Sequence, residues 1–337
     1  MKAFAMTLKN VFPLAALMIA SALLPQAAGA QTTSTSSGQG YPAKQLRMVI
    51  GFPAGGPIDI VARMIMAKYG EAMGQSFLID NRGGAGGTIG VDNVAKAAAD
   101  GYSMVMSSTS LPIYPHVYPT LPFDIFRDLA GVSTVTTTPE LLVVHPSLPV
   151  KNMKELIALA KARPGQLNAA STGNGGLPHL IIELLKSEIG INVVHVPYGG
   201  AAMATTATIG GHAQMFMADL PVLLPHVKNG RLRALAVTTA KRATLLPDVA
   251  SMAEQGVTKV DVANWYGIFV PGKTSRDIID KLNAGLHKTL ADKDLRERLI
   301  GRGADPQPGT PEQVAERVKA DYAKWGAVVK AAGVKLD

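Results

Sequence analysis

Leu46–Asp59 reads LRMVIGFPAGGPID, and Phe77–Gly90 reads FLIDNRGGAGGTIG. Each stretch passes from a short apolar run into glycines, and each then takes up an apolar pattern of helical period. A strand, a Gly-rich turn and a helix in that order make the repeating unit of a mostly parallel sheet covered by helices. The first unit places a strand at Leu46–Phe52, a turn at Pro53–Pro57 and a helix to Ala72. The second places a strand at Phe77–Asp80, a turn through Gly83–Gly87 and a helix to Ala98. Asp100-Gly101 then turns the chain into a third strand, Tyr102–Met106, which runs out into Ser107-Ser108-Thr109-Ser110.

The unit restarts beyond Glu140. Strands are expected at 141–145, 167–170, 191–196, 213–217 and 231–238, with helices at 152–162, from 178, and at 201–209. After a strand at 263–270 the chain turns helical over 275–290, 293–299 and 311–329, the last two entered through Asp and Thr-Pro start signals. The strands at 141–145 and 231–238 bracket the middle block, so the expected fold is α/β with two lobes. Residues 41–140 plus 239–337 form lobe I, 141–238 form lobe II, and two crossing strands make the hinge. About 300 residues suit two cores better than one.

The first thirty residues carry Lys2 and Lys9, the apolar run Val11–Leu24 and then Ala28-Gly29-Ala30, the small-x-small pattern of a secretory signal cleaved before Gln31. The run is broken by Pro13 and Pro25 and is shorter than the roughly 20 residues a spanning helix needs. QTTSTSSGQG at 31–40 has nothing to bury and reads as a flexible leader. The expected location is the periplasm. No cysteine occurs, which removes disulfides, thiol catalysis and thiolate metal sites. Of the 33 Lys and Arg, Lys2 and Lys9 leave with the signal, so 31 face 25 Asp and Glu. That mild basic surplus, without a basic run, suits an anionic ligand and an ordinary surface alike, and it points away from nucleic acid.

In an open α/β sheet, ligands lie beyond the carboxyl ends of the strands. Each Gly-rich turn sits there, where backbone N–H groups approach a guest closely and the next helix presents unpaired donors with partial positive charge. A carboxylate is the natural guest. Hydrogen bonds to a charged group contribute roughly 1.5 to 3 kcal/mol each, and a helix terminus adds roughly 0.3 to 2 kcal/mol. Three or four donors therefore approach the roughly −8 kcal/mol of micromolar binding. Several side chains near the turns read two ways. Asp59, three residues after Gly56, is placed to bond first-turn N–H groups, with Arg63 as its helix partner. His179 in the first turn after Pro178 reads equally as a cleft residue or a structural histidine. Tyr198 reads equally as a ring on the ligand or as packing under its turn. Ser108 and Thr109 join the candidates from the end of the third strand.

Enzyme readings fail by inventory. Gly267–Thr274 matches GxxxxGK[ST], but Ile268-Phe269-Val270-Pro271 continues a strand where a cradle of bare N–H groups is needed. There is no GxSxG, no HExxH, no metal-ligand spacing among the seven histidines, and Gly83, Gly84, Gly86 and Gly87 do not satisfy GxGxxG. No cofactor and no metal are expected.

The chain resembles the substrate-binding proteins of tripartite tricarboxylate transporters, the Bordetella uptake family, from Tyr41 to the C-terminus. The landmarks are Tyr41-Pro42, FPAGGPID at 52–59, NRGGAGGTIG at 81–90, Asp100-Gly101-Tyr102, STGNGGLPHL at 171–180, VPYGG at 196–200, LPHVKNGRLRALAVTTAKR at 224–242, LPDV at 246–249 and WYGIFVPGKT at 265–274. The resemblance implies a Venus-flytrap fold that grips a small carboxylate with main-chain donors and hands it to transporter subunits in the membrane, acting as a monomer. By residue, it implies Phe52 and Gly55, Gly56, Pro57, Ile58 and Asp59 from the first turn, with Ala85 and Gly86 from the second. From lobe II it implies Ser171, Thr172, Gly173, Asn174, Gly175 and Gly176, and Pro197, Tyr198, Gly199 and Gly200. Three positions depart from the family pattern. Ile58 stands for a usual Thr or Ser, Gly83 for a usual Pro, and Ala218-Asp219 for a frequent Asp-Asn. A carboxylate at Asp219 would favour a ligand amine or hydroxyl and repel a second ligand carboxylate. A sensor docking on a membrane receptor, or an envelope hydrolase on the same fold, would share these residues.

Overall fold

The structure is a computed structural model, and it describes residues 40–334. The expected signal peptide, and the leader up to Gln39, lie outside the described residues. Lobe I opens with β1 (Leu46–Ile50), α1 (Pro57–Met73), β2 (Phe77–Asn81), α2 (Thr88–Ala95), β3 (Ser103–Ser108) and the short α3 (Tyr114–Val117). The alternating elements lay β2, β1 and β3 side by side in parallel. Then comes β4 (Leu129–Val144), a strand of 16 residues. Beyond it the second set of units comprises α4 (Met153–Ala162), β5 (Asn168–Ser171), α5 (Leu177–Ile189), β6 (Val194–Pro197), α6 (Ala201–Ile209), β7 (Met215–Asp219), α7 (Leu220–Lys228) and β8 (Arg233–Val237). The chain ends with β9 (Ala263–Pro271), α8 (Arg276–Leu290), α9 (Lys293–Ile300), β10 (Asp305–Pro306) and α10 (Pro311–Ala332).

Strand β4 explains the two lobes. Its first part, Leu129–Pro139, pairs antiparallel with β9, which pairs antiparallel with β3. From Glu140 onward the same strand pairs with β7 on one side and β8 on the other, and β7 continues through parallel β5 to β6. The result is an α/β fold of two sheets joined through one long strand, with the chain crossing back between β8 and β9. At the crossing, Thr238 ties the strands together. Its N–H donates to Glu140 O at 3.0 Å, its hydroxyl donates to Val262 O at 2.6 Å and accepts from Glu140 N at 3.1 Å, and Val262 N donates to Thr238 O at 3.2 Å. All of this is buried. Replacing Thr238 with Val keeps the shape and strands a buried amide and carbonyl, which costs about 1–3 kcal/mol. Denaturant unfolding of Thr238→Val is expected to show that loss with an unchanged slope.

Two differences from the expected pattern matter. First, β4 starts twelve residues before the expected strand at Leu141, because GVSTVTTTP at 131–139 is polar and punctuated yet buried between β9 and the helices. Second, α10 serves both cores. Val314 and Val318 pack with Val49, Val105 and Trp265, whereas Trp325 and Val329 pack with Leu142, Leu180 and Ile181. Met252, Val257, Val260 and Val262 join that second core as well. The expected division, which gave 239–337 to lobe I, therefore does not describe the packing of these two segments. A helix of 22 residues is roughly 33 Å long and outreaches one lobe, and its apolar spacing is the same on both.

Gly267–Pro271 is strand, in β9, so the phosphate-loop match is a coincidence of spacing. Among the described residues no helix is long and apolar enough to cross a membrane.

Candidate functional site

The parallel strands of both sheets aim their carboxyl ends at one cleft, which holds two connected hollows. The inner one, about 80 Å³, is walled by Phe52, Pro57 and Ile58 from lobe I and by Gly199–Met203 from lobe II, with Ser108, Ser110, Thr172, Asp219 and Asn264 also on its lining. The outer one, about 830 Å³, lies between the Gly84–Gly87 turn and Thr172, Gly173, Asn174, His179 and Pro197–Gly199. The cleft brings together most of the residues singled out in the sequence. Gly55, Asp59, Thr109, Ser171, Gly175 and Gly176 are not on the lining; hydrogen bonds of Gly55 with Asp59, Ser171 with Gly173 and Gly175 with His179 order the turns.

Asp59 shows how the first turn is built. Its carboxylate pairs with Arg63 Nε at 2.9 Å, as its helix spacing predicts, but in place of the first-turn N–H groups of its own helix it accepts from Gly55 N at 2.9 Å and Asn81 Nδ2 at 3.0 Å. Asn81 also donates to Phe52 O at 3.1 Å. Burial alone would raise this carboxyl, but the hydrogen bonds from Arg63, Gly55 and Asn81 outweigh it and hold it below the ordinary carboxylate range. The consequence lies one residue away. The first intrahelical bond of α1 is Ile60 N to Gly56 O at 2.9 Å and no side chain caps the helix, so the N–H groups of Ile58 and Asp59 have no acceptor within it. Helix α6 repeats this: its first bond is Ala204 N to Gly200 O and it too has no side-chain cap, which leaves the N–H groups of Ala201, Ala202 and Met203. Both termini border the inner hollow, where their dipoles favour an anion.

The second turn runs through left-handed backbone at Ala85 (φ 45°) and Gly86 (φ 63°). The Tyr118 hydroxyl donates to Ala85 O at 2.8 Å and reaches Asn174 O at 3.4 Å, while Tyr114 donates to Gly86 O at 2.8 Å. A further bond crosses the cleft from Leu177 N to Ser110 Oγ at 3.2 Å. The lobes' turns thus touch, and Gly86 lies so close to Asn174 O that an added Cβ would stand 2.8 Å from it.

In lobe II, Gly175 N donates to His179 Nδ1 at 3.1 Å, so that nitrogen is an acceptor and the ring is neutral. His179 stacks on His195, centroids 3.8 Å apart, and Ser171 Oγ lies 2.6 Å from His195 Nε2. Burial lowers both histidines, His195 to about 3, with the neighbouring His179 contributing. His179 therefore does both things its position allowed: it borders the outer hollow and it orders the turn. The Ser171–His195 pair is not a working nucleophile and base, since Ser171 is fully buried and the imidazole has lost its basicity.

At the base of the inner hollow Asp219 meets a group the sequence reading missed. Asn264 Nδ2 donates to Asp219 Oδ1 at 2.8 Å and lies 3.5 Å from Glu140 Oε1. Burial raises Asp219 to about 7 against the opposing Asn264 bond, and burial together with the nearby Asp219 raises Glu140 as well. Glu140 is legible only as the residue before the strand expected from Leu141, and Asn264 only as a residue of the strand expected at 263–270; it takes the pairing of β4 with both β7 and β9 to make them neighbours of Asp219. Helix α7 also went unread, masked by Pro221 and Pro225, although Asp219-Leu220-Pro221 is a helix-start signal. No group of three or more His, Asp or Glu able to hold a metal occurs among the described residues.

Comparison with known proteins agrees with this geometry. A family model described as "Tripartite tricarboxylate transporter family receptor" matches residues 61–334. The protein BugT of Bordetella pertussis is 35% identical over 298 residues, covering 88% of this chain and 91% of that one. Among solved structures, a protein of R. palustris solved with adipate is 35% identical with a TM-score of 0.85, covering 88% of this chain and 100% of the other. MatC from Rhodopseudomonas palustris, with bound malate, is 29% identical with a TM-score of 0.81, covering 86% of this chain and 100% of the other. The two sheets, the hinge strand and the shared cleft are those of a two-lobe periplasmic binding protein, and this chain belongs to the tripartite tricarboxylate transporter receptor family, whose members are periplasmic solute-binding proteins rather than enzymes.

Proposed function

We propose that this protein is exported with cleavage before Gln31, captures a small organic carboxylate between its lobes as a monomer, and delivers it to membrane subunits of a tripartite tricarboxylate-type transporter. The observation that carries the reading is the pair of uncapped helix starts, α1 from lobe I and α6 from lobe II, bordering one hollow. Among the described residues no Arg or Lys lines the hollow, so a bound anion has backbone N–H groups, fixed in place and needing little reorganisation, together with the neutral Ser108, Ser110, Thr172 and Asn264 side chains. A ligand held by donors of both lobes stabilises their contact, because only the shut arrangement offers all of the donors at once. The adipate and malate bound by the two structural relatives are of the same chemical class.

Thermal unfolding across a panel of mono- and dicarboxylates and their neutral amides tests this. A ligand present at about 100 times its Kd stabilises the folded state by about 2.7 kcal/mol, and one or more acids are expected to do so while the amides do not. Stabilisation by the amides and by none of the acids would overturn the carboxylate reading.

A further inference from the structure

Asp219 is the one ionisable side chain lining the inner hollow, and its surroundings give it no structural task. It ends β7 and starts α7, yet its side chain makes no cap bond to that helix. No Lys, Arg or His forms a salt bridge with it among the described residues. It is only 4% exposed, and what holds it is Asn264, at 2.8 Å. The Asn264 amide is itself oriented, because Thr109 N donates to its Oδ1 at 3.3 Å and so turns its NH2 group towards the carboxyls. Behind it stands Glu140, wholly buried, with Oε2 lacking any hydrogen-bond partner. Two acidic groups therefore converge on the base of an otherwise apolar and polar-uncharged hollow, with Tyr266 of β9 as the other titratable group facing them. Phe52 and Ile58 also line the hollow and offer a ligand's middle an apolar surface.

We propose that the Asp219 carboxyl, oriented by Asn264 and backed by Glu140, selects the far end of the ligand: it accepts a hydrogen bond from a hydroxyl or ammonium group and repels a second carboxylate. The inference rests on the carboxylate reading above, with the ligand's carboxylate on the N–H groups of α1 and α6, and it narrows the ligand class to hydroxy or amino monocarboxylates. Like charges in a site shielded from water interact far more strongly than on a surface, so the repulsion acts where Asp219 is ionised, above its raised value of about 7, and there a donor that arrives with the ligand makes a charge-assisted hydrogen bond. An apolar ligand end would satisfy the walls and bring the carboxyl no donor beyond Asn264.

The test is calorimetric titration at pH 8 with matched acids that differ only at the far end: butyrate, 4-hydroxybutyrate, 4-aminobutyrate and succinate, then the six-carbon set hexanoate, 6-hydroxyhexanoate, 6-aminohexanoate and adipate. In at least one length, the hydroxy or amino acid is expected to bind at least tenfold more tightly than the dicarboxylate. Asp219→Asn is expected to narrow or reverse that order. Dicarboxylates that bind wild-type protein as tightly as their hydroxy and amino counterparts at both lengths overturn the inference and leave the carboxylate reading standing, as does an order unchanged in Asp219→Asn. If no member of either set binds, this inference falls, and the panel of acids and amides decides the carboxylate reading. The wild-type series decides by itself should Asp219→Asn fail to fold.

Discussion

A Gly86→Ala variant is expected to fold, and to lose at least tenfold in affinity for the ligand that the acid panel identifies. The residue has φ 63°, and a Cβ there would meet Asn174 O of lobe II and the Tyr118 hydroxyl, each at 2.8 Å. The Tyr118 hydroxyl, at the end of a side chain, can move at the cost of its bond to Ala85 O, but Asn174 O belongs to backbone in the turn before α5, so relief of that contact is separation of the two turns. That separation opens the cleft and removes the lobe II donors from a ligand held on lobe I. Gly74→Ala makes the matched control. Gly74 ends α1 with φ 71°, and a Cβ there has nothing within 4 Å, so it carries the left-handed backbone penalty of about 1 kcal/mol without touching the cleft. Equal losses of stability in the two variants, with affinity lost only in Gly86→Ala, would show that the cleft is where the contact acts. A tenfold loss corresponds to about 1.4 kcal/mol. Affinity left intact in Gly86→Ala would mean that the ligand-bound protein does not bring Gly86 up to Asn174.

The residues legible in the sequence share a property: their meaning is local. A glycine run between a strand pattern and a helix pattern places its own turn, and this is why Phe52, Gly56–Ile58, Ala85-Gly86 and Tyr198–Gly200 all reach the cleft lining from the sequence position alone. Asp59 was legible as a residue of the first turn but not in its direction, since the competing partner, Asn81, arrives from a neighbouring strand. Residues 131–139 hid a strand because Thr-rich segments do not alternate, and their burial comes from β9, which lies more than a hundred residues later. Glu140, Asn264 and Asp219 carry no local signal of a cluster. Only the pairing of β4 with both β7 and β9 puts a carboxylate, an amide and a second carboxylate at one point. Pairing register between distant strands is what a single sequence leaves undetermined.

That cluster makes the stability of the empty protein depend on pH in a direction opposite to the usual one for carboxylates. A paired surface carboxylate is held low in the fold and stabilises as pH rises. Asp219, ordinarily near 3.8, is raised to about 7 by burial, and Glu140 is raised as well, so the folded chain keeps protons that the unfolded chain releases. By linkage, each proton so kept lowers stability by about 1.4 kcal/mol per pH unit, from about pH 4 up to the folded value. Other groups oppose this. His179 and His195 are lowered by burial, so they stabilise as pH rises towards 6.5, and Asp59 and Asp80, also lowered, complete their contribution near pH 4. The wild-type curve is therefore mixed, and the difference from a Glu140→Gln/Asp219→Asn variant isolates the pair. The amides are neutral at every pH and keep an oxygen to accept from Asn264 Nδ2. The double variant is expected to match wild type near pH 4 and to exceed it progressively as pH rises for as long as the folded carboxyls keep their protons, with the Asp219 part levelling off near pH 7. Denaturant unfolding at pH 4.5, 6 and 7.5 measures the difference, and a difference that does not change with pH would show that the pair is not held protonated. A cluster that destabilises the empty fold near neutral pH is not there to hold the lobes together, and its one open side faces the hollow, where a donor from a ligand would return part of the loss.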